Sequence, residues 1–297
     1  MDRRDFVTRV AVGGGLLAVA PAELARTVAA PALGVTALQR GWRFVRGDPG
    51  FAATAFDFDD AAWTSVNLPH TARLEALVTG ARGSAKWQWQ GLCWYRRVLE
   101  VDESAAGARI WLRFGAAMNV AEVYLDGRRL GAHLGGYTPF AFDITNFITP
   151  GRPAMLAVRL DNRDNAVTGP KPLHDLDFNM YGGLYRMVEL VVKDALHITD
   201  AILADRPASG GILVRTLEAS PASATVSVQV HVRNASDHDR RFTLLHTLSG
   251  PDGRVAATVT TTPTQLAPGA DADITATLQV RSPALWHPRS PSLYTLE

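Results

Sequence analysis

Side chains able to do chemistry are unevenly spread along this 297-residue chain, and the densest group is a five-residue polar string. Asp161-Asn162-Arg163-Asp164-Asn165 places carboxylates, amides and a guanidinium side by side. Carboxylates accept hydroxyl protons and a carboxamide both donates and accepts, so these types suit a polyhydroxylated ligand. Asp161, Asn162 and Asp164 also offer oxygen donors of the kind a hard cation takes, but their spacing matches no recognised cation loop. The same string is equally what an exposed turn at a strand end looks like, with Asp and Asn bonding to nearby backbone.

Other chemistries find less support. Acid–base work by paired carboxylates needs two acids at one place, whereas Glu100, Glu103, Glu122 and Glu189 lie in strand or turn contexts that fit solvated faces. The single cysteine, Cys93, forms no internal disulfide and stands beside Trp94 and Tyr95, the setting of a small buried hydrophobe. The eight histidines include no HExxH pair and no His/Cys grouping, so neither a metal nor another cofactor is expected. If residues 87–90 form a strand, Trp87 and Trp89 share one side of it. That layout serves an aromatic sugar platform or a core, and core packing is the expectation.

Thirty Lys and Arg balance 29 Asp and Glu with no basic run, which leaves nucleic acid without an electrostatic footprint. Residues 1–30 read as an address. Arg3-Arg4 precedes a short apolar run over residues 10–20, and Val28-Ala29-Ala30 offers a peptidase site before Pro31. The adjacent arginines resemble a twin-arginine export signal and place the mature chain in the periplasm or outside the cell. The apolar run contains glycines and falls short of the roughly 20 residues of a spanning helix, so stable membrane insertion is not expected. The sequence leaves an oligomer open.

Two all-β units must position these groups. Residues 109–114 alternate polar and apolar side chains, and residues 120–125 form a second short run. Asp126-Gly127 then signals a tight hairpin turn, because glycine tolerates the positive φ such turns need. Residues 155–160 and 186–192 add strands, and no helical periodicity intervenes. Apolar faces on several strands are best buried by a second sheet, giving a sandwich. A boundary falls near residues 193–199. Beyond it, residues 224–232, 241–245, 255–261 and 272–280 repeat the period-two pattern between turn signals, as in an immunoglobulin-like sandwich. The expected organisation is a leader at 1–30, one sandwich at 31–193 and another at 194–297.

Several segments, in order, resemble glycoside hydrolase family 2, which includes β-galactosidases, β-glucuronidases and β-mannosidases. They are Gly41-Trp42-Arg43-Phe44 with Leu68-Pro69-His70, then GLCWYRR at residues 91–97, and VYLDG at 123–127. GGYTPF at 135–140, FDIT at 142–145, DFNMYGGLYR at 177–186 and the junction Trp286, Pro288, Pro291, Leu293, Tyr294 complete the series. The resemblance implies a jelly-roll sugar-binding domain, an immunoglobulin-like domain and then a catalytic (β/α)8 barrel, expected after Glu297. It also implies a retaining mechanism in which both glutamates come from that barrel, so none of the catalytic residues is assigned here. By motif, Asp177 and Asn179 match positions from which family members reach sugar hydroxyls, and Asp161 and Asn162 lie in a family loop facing the barrel. The expected partner is a β-glycoside substrate, galactoside-like, bound together with the barrel. The rival expectation is a free-standing carbohydrate-binding or adhesion module, and the third is a truncated chain of structural domains.

Overall fold

The computed structural model describes residues 33–73, 89–169, 181–204 and 206–297. The leader at 1–30, Trp87, Asp177 and Asn179 therefore lie outside the described residues. The described chain is all β, and every strand pairing in it is antiparallel.

The first sandwich packs two sheets. One carries β1 (Gly34–Ala37), β10 (Val188–Lys193), β5 (Arg109–Phe114) and β8 (Phe140–Asp143), in that spatial order. The other runs β3 (Thr64–Val66), β2 (Trp42–Arg46), β4 (Leu92–Leu99), β9 (Ala154–Asp161), β6 (Val120–Leu125) and β7 (Arg128–Leu134). Alternation decides what each strand buries. Cys93, Tyr95 and Leu99 of β4, Leu156, Val158 and Leu160 of β9, and Ile110, Leu112 and Phe114 of β5 all point into the shared core.

The opposite face of β4 is covered too, which explains a run buried on both sides. Trp94 packs with Ala53, Trp63, Tyr124 and Ala157 in a second cluster. Arg96, 1% exposed, donates to the Phe58 carbonyl (3.1 Å), the Ala55 carbonyl (2.7 Å) and the Asp60 carboxylate, and so holds that covering segment down. Its neighbour Arg97 meets no acid in the same way among the described residues. Arg97 instead donates to the Arg40 carbonyl and lies over the Trp42 ring.

The hairpin expected at Asp126-Gly127 joins β6 to β7 with φ of 46° and 75°, the two positive values of a type I′ turn. Asp126 also accepts from the Met155 amide (2.7 Å), tying the turn to β9.

The second sandwich centres on β13 (Ser223–Asn234), flanked on one side by β11 (Leu196–Ile198) and β12 (Ile212–Ala219) and on the other by β18 (Asp271–Arg281). Facing it are β14 (Arg240–Phe242) with β17 (Thr264–Leu266), and β15 (Leu245–Ser249) between β16 (Val255–Thr260) and β19 (Thr295–Leu296). Val226, Val228, Val230 and Val232 of β13 meet Leu248, Leu266, Leu278 and Val280 in its core. Residues 241–245, read as one strand, are divided. The chain changes partners after Phe242, and the Leu244 amide turns to the Thr261 hydroxyl (2.9 Å) before β15 begins.

Candidate functional site

The polar string stands where β9 runs out, and its groups are largely committed to one another. Asp161 accepts from the Arg163 side chain (2.6 Å at the closest contact) and from the Arg163 amide (3.0 Å). Burial alone would raise this carboxyl, but the Arg163 hydrogen bonds and charge outweigh it and hold it below the ordinary carboxylate value. Asn165 caps its own turn, accepting from the Val167 and Thr168 amides (both 2.9 Å) and donating to the Thr168 hydroxyl (2.6 Å). Asp164 faces solvent.

Asn162 is 3% exposed and works as a clamp. Its Oδ1 accepts from the Gly91 amide (2.8 Å), and its Nδ2 donates to the Trp89 carbonyl (2.9 Å). Both partners sit just ahead of β4, so one carboxamide fixes how the chain enters the central strand. Trp89 itself is partly buried against the main core.

Asp177 and Asn179 belong to residues 170–180, and the described chain on either side of that stretch returns to the same end of the sandwich. Met118 and Gly183 exchange backbone hydrogen bonds (3.1 and 3.2 Å), and His70 donates to the Leu184 carbonyl (2.9 Å). Gly183 has φ of 117°, and a Cβ there would fall 2.6 Å from the Tyr95 hydroxyl and 2.8 Å from the Ala72 amide. A Cβ on Gly182 would meet Asn162 Nδ2 at 2.9 Å. Both glycines of the YGG segment are thus required by close approach of backbone and side chain. Beneath them, Tyr95 Oη lies 2.8 Å from His70 Nδ1, and burial lowers the His70 pKa and raises that of the Tyr95 phenol.

Three further titratable groups play structural parts. Glu122 pairs with Arg159 (2.6 Å), and Glu189 pairs with Arg113 (2.8 Å). Cys93 is buried, and burial pushes its thiol well above the usual value. Among the described residues, no three His, Cys, Asp or Glu side chains form a metal-binding group, and no helix is long and apolar enough to cross a membrane. One residue escaped sequence reasoning. Asn119, 2% exposed at the mouth of β6, donates to the Thr168 hydroxyl, while its Oδ1 is buried with no donor. Its only sequence signal is an amide between the apolar Met118 and Val120.

Comparison with known proteins bears on what this end of the molecule serves. Residues 58–194 match the family model for the sugar binding domain of glycosyl hydrolases family 2, and residues 212–297 match a second model of that family. The chain is 28% identical over 261 residues to a β-glucuronidase of Formosa agariphila, covering 85% of this chain and 26% of that protein. It is 30% identical over 246 residues to a β-galactosidase of Thermoanaerobacter pseudethanolicus, covering 82% of this chain and 30% of that one. A crystal structure of a β-glucuronidase from Bacteroides uniformis superposes with a TM-score of 0.74 at 31% identity, over 89% of this chain and 30% of its own. The chain therefore spans less than a third of each of these relatives.

Proposed function

The chain belongs to glycosyl hydrolase family 2, and from that premise we propose that it is the substrate-binding, non-catalytic part of a retaining exo-β-glycosidase. The observation that carries this reading is the succession of two family matches, residues 58–194 and 212–297, along the two sandwiches. Relatives named as β-glucuronidases and as β-galactosidases support hydrolysis of a terminal β-linked sugar. We take the β-galactoside as the preferred substrate, on the YGGLYR form of residues 181–186.

In this reading the division of labour is chemical. Retaining hydrolysis needs one carboxylic acid to protonate the leaving oxygen and a second carboxylate to attack the anomeric carbon. Both come from a barrel contributed by the rest of the enzyme. Asp177 and Asn179 contribute hydrogen bonds to sugar hydroxyls from the stretch between Gly169 and Tyr181. The Arg3-Arg4 leader supports export and an extracytoplasmic site of action.

The test compares the 297-residue chain with the complete enzyme on nitrophenyl β-galactoside and β-glucuronide. Turnover is expected from the complete enzyme only, and faster on the galactoside. Asp177→Ala should lower kcat/KM by about 10- to 100-fold, the worth of one charged hydrogen bond. Robust turnover by the 297-residue chain alone would refute the division of labour. Unchanged kcat/KM in the Asp177 variant would refute the contact, and faster glucuronide cleavage would refute the sugar preference. Tight galactose binding by the chain alone would favour a free-standing module.

A further inference from the structure

Four segments meet at Asn119. Its amide donates to the Asp161 carbonyl (3.3 Å), and its carbonyl accepts from the Gly135 amide (3.0 Å). Its neighbour Met118 holds Gly183 by the backbone pair already described. Its side chain reaches Thr168 through Nδ2, and its Oδ1 lies toward Gly136, where an added Cβ would sit 3.5 Å from it. The Gly136 carbonyl in turn accepts from the Tyr185 hydroxyl. The carboxamide thus touches the arm after β9 and lies toward the turn after β7, while the backbone beside it holds the return at Gly183.

The side chain is poorly chosen for stability. Oδ1 is buried without a donor, and reversing the amide would only move the deficit to nitrogen. An apolar side chain of the same shape would avoid that penalty. What the amide supplies is direction. Thr168 receives one N–H from Asn119 and another from Asn165 (2.6 Å), so the end of the arm is held between two amides.

We propose that Asn119 is a positioning residue for sugar recognition, acting through the Thr168 hydroxyl to set residues 165–169 at the end of the sandwich that faces substrate. The proposal rests on the glycosidase reading. Asn119 needs no contact with sugar.

Two measurements test it, one of them independent of activity. In the 297-residue chain, hydrogen exchange should show amides of residues 165–169 exchanging about tenfold faster in Asn119→Leu, with β9 and β10 unchanged and Tm equal to or above wild type. In the complete enzyme, Asn119→Leu and Thr168→Val should each raise KM for the β-glycoside about five- to tenfold with kcat within twofold. The double variant should be no worse than Thr168→Val alone, because the Asn119–Thr168 bond is already lost there together with the bond from Asn165. Thr168→Ser, which keeps the hydroxyl, should behave as wild type. Wild-type exchange in Asn119→Leu would overturn the proposal. So would a lower Tm with exchange raised throughout the core and KM unmoved, which marks a residue of the fold alone. If the unmutated enzyme cleaves no β-glycoside, the glycosidase reading fails, and the exchange result alone decides whether Asn119 positions the arm.

Discussion

Asn162 offers the sharpest separation between a residue that binds and a residue that builds. Asn162→Ala removes the acceptor of the Gly91 amide and the donor to the Trp89 carbonyl. Both groups belong to partly buried residues, so water reaches them in part and the lower end of the usual penalty applies. That is about 1–1.5 kcal/mol each, or about 2–3 kcal/mol together. For a sandwich of this size each kcal/mol moves the midpoint by about 2–4 °C, so Tm should fall by about 5–10 °C. Asn162→Asp should fare little better, since a carboxylate keeps the Gly91 bond but sets an acceptor against the Trp89 carbonyl. Differential scanning calorimetry on the chain reads the stability, and titration of a β-galactoside into the complete enzyme reads the binding. A Tm within about 1 °C of wild type, together with a tenfold loss of sugar affinity, would refute the clamp and return Asn162 to the binding surface.

Two other perturbations follow from buried polar groups. Arg96→Lys keeps the charge but not the fork that reaches Ala55, Phe58 and Asp60 together. It should cost about 3 kcal/mol and redden the fluorescence of Trp63 and Trp94; an unmoved Tm and emission maximum would contradict it. Burial lowers the pKa of His70, His133, His197 and His246, so the folded state binds fewer protons than the unfolded one near pH 6.5. Their stability is intact above that pH and is lost as pH falls through the lowered values. Tm should therefore decline from pH 7.5 to 5, less steeply in His246→Leu, whose native Nε2 is buried without a partner. A flat profile, or an identical slope in the variant, would count against this.

The strands were legible because their chemistry is local. Ile110, Leu112 and Phe114 alternate with Arg109, Trp111 and Arg113, and that alternation alone assigns a face. The pair Asp126-Gly127 likewise carries its turn in its own backbone preferences. Residues whose partners are remote were not legible in this way. Asn162 reads as one amide in an exposed polar string, but its bonds run to Gly91 and Trp89, 71 and 73 positions earlier. Arg97 finds its carbonyl 57 positions away. Residues 241–245 keep their period across a change of partner strand, which periodicity cannot register.

The same distances bear on where sugar contact falls in the proposed enzyme. A hydroxyl can recruit only polar groups that are not already engaged. Asp161 is held by Arg163, Asn162 by the entry to β4, and Asn165 by its own turn. Diverting any of them would trade an existing hydrogen bond for a new one, with little net gain. Of the acidic and amide side chains in that string, only the Asp164 carboxylate faces solvent without such a bond. Subtraction within the string leaves Asp164 as its available contact, and the proposed contacts Asp177 and Asn179 rest on the family motif. The proposal casts Asp161, Asn162 and Asn165 as a frame for this end of the sandwich. A frame of this kind predicts a particular asymmetry: substitutions in it should be felt first in stability or KM, whereas substitution of Asp177 should be felt in kcat/KM with Tm unchanged.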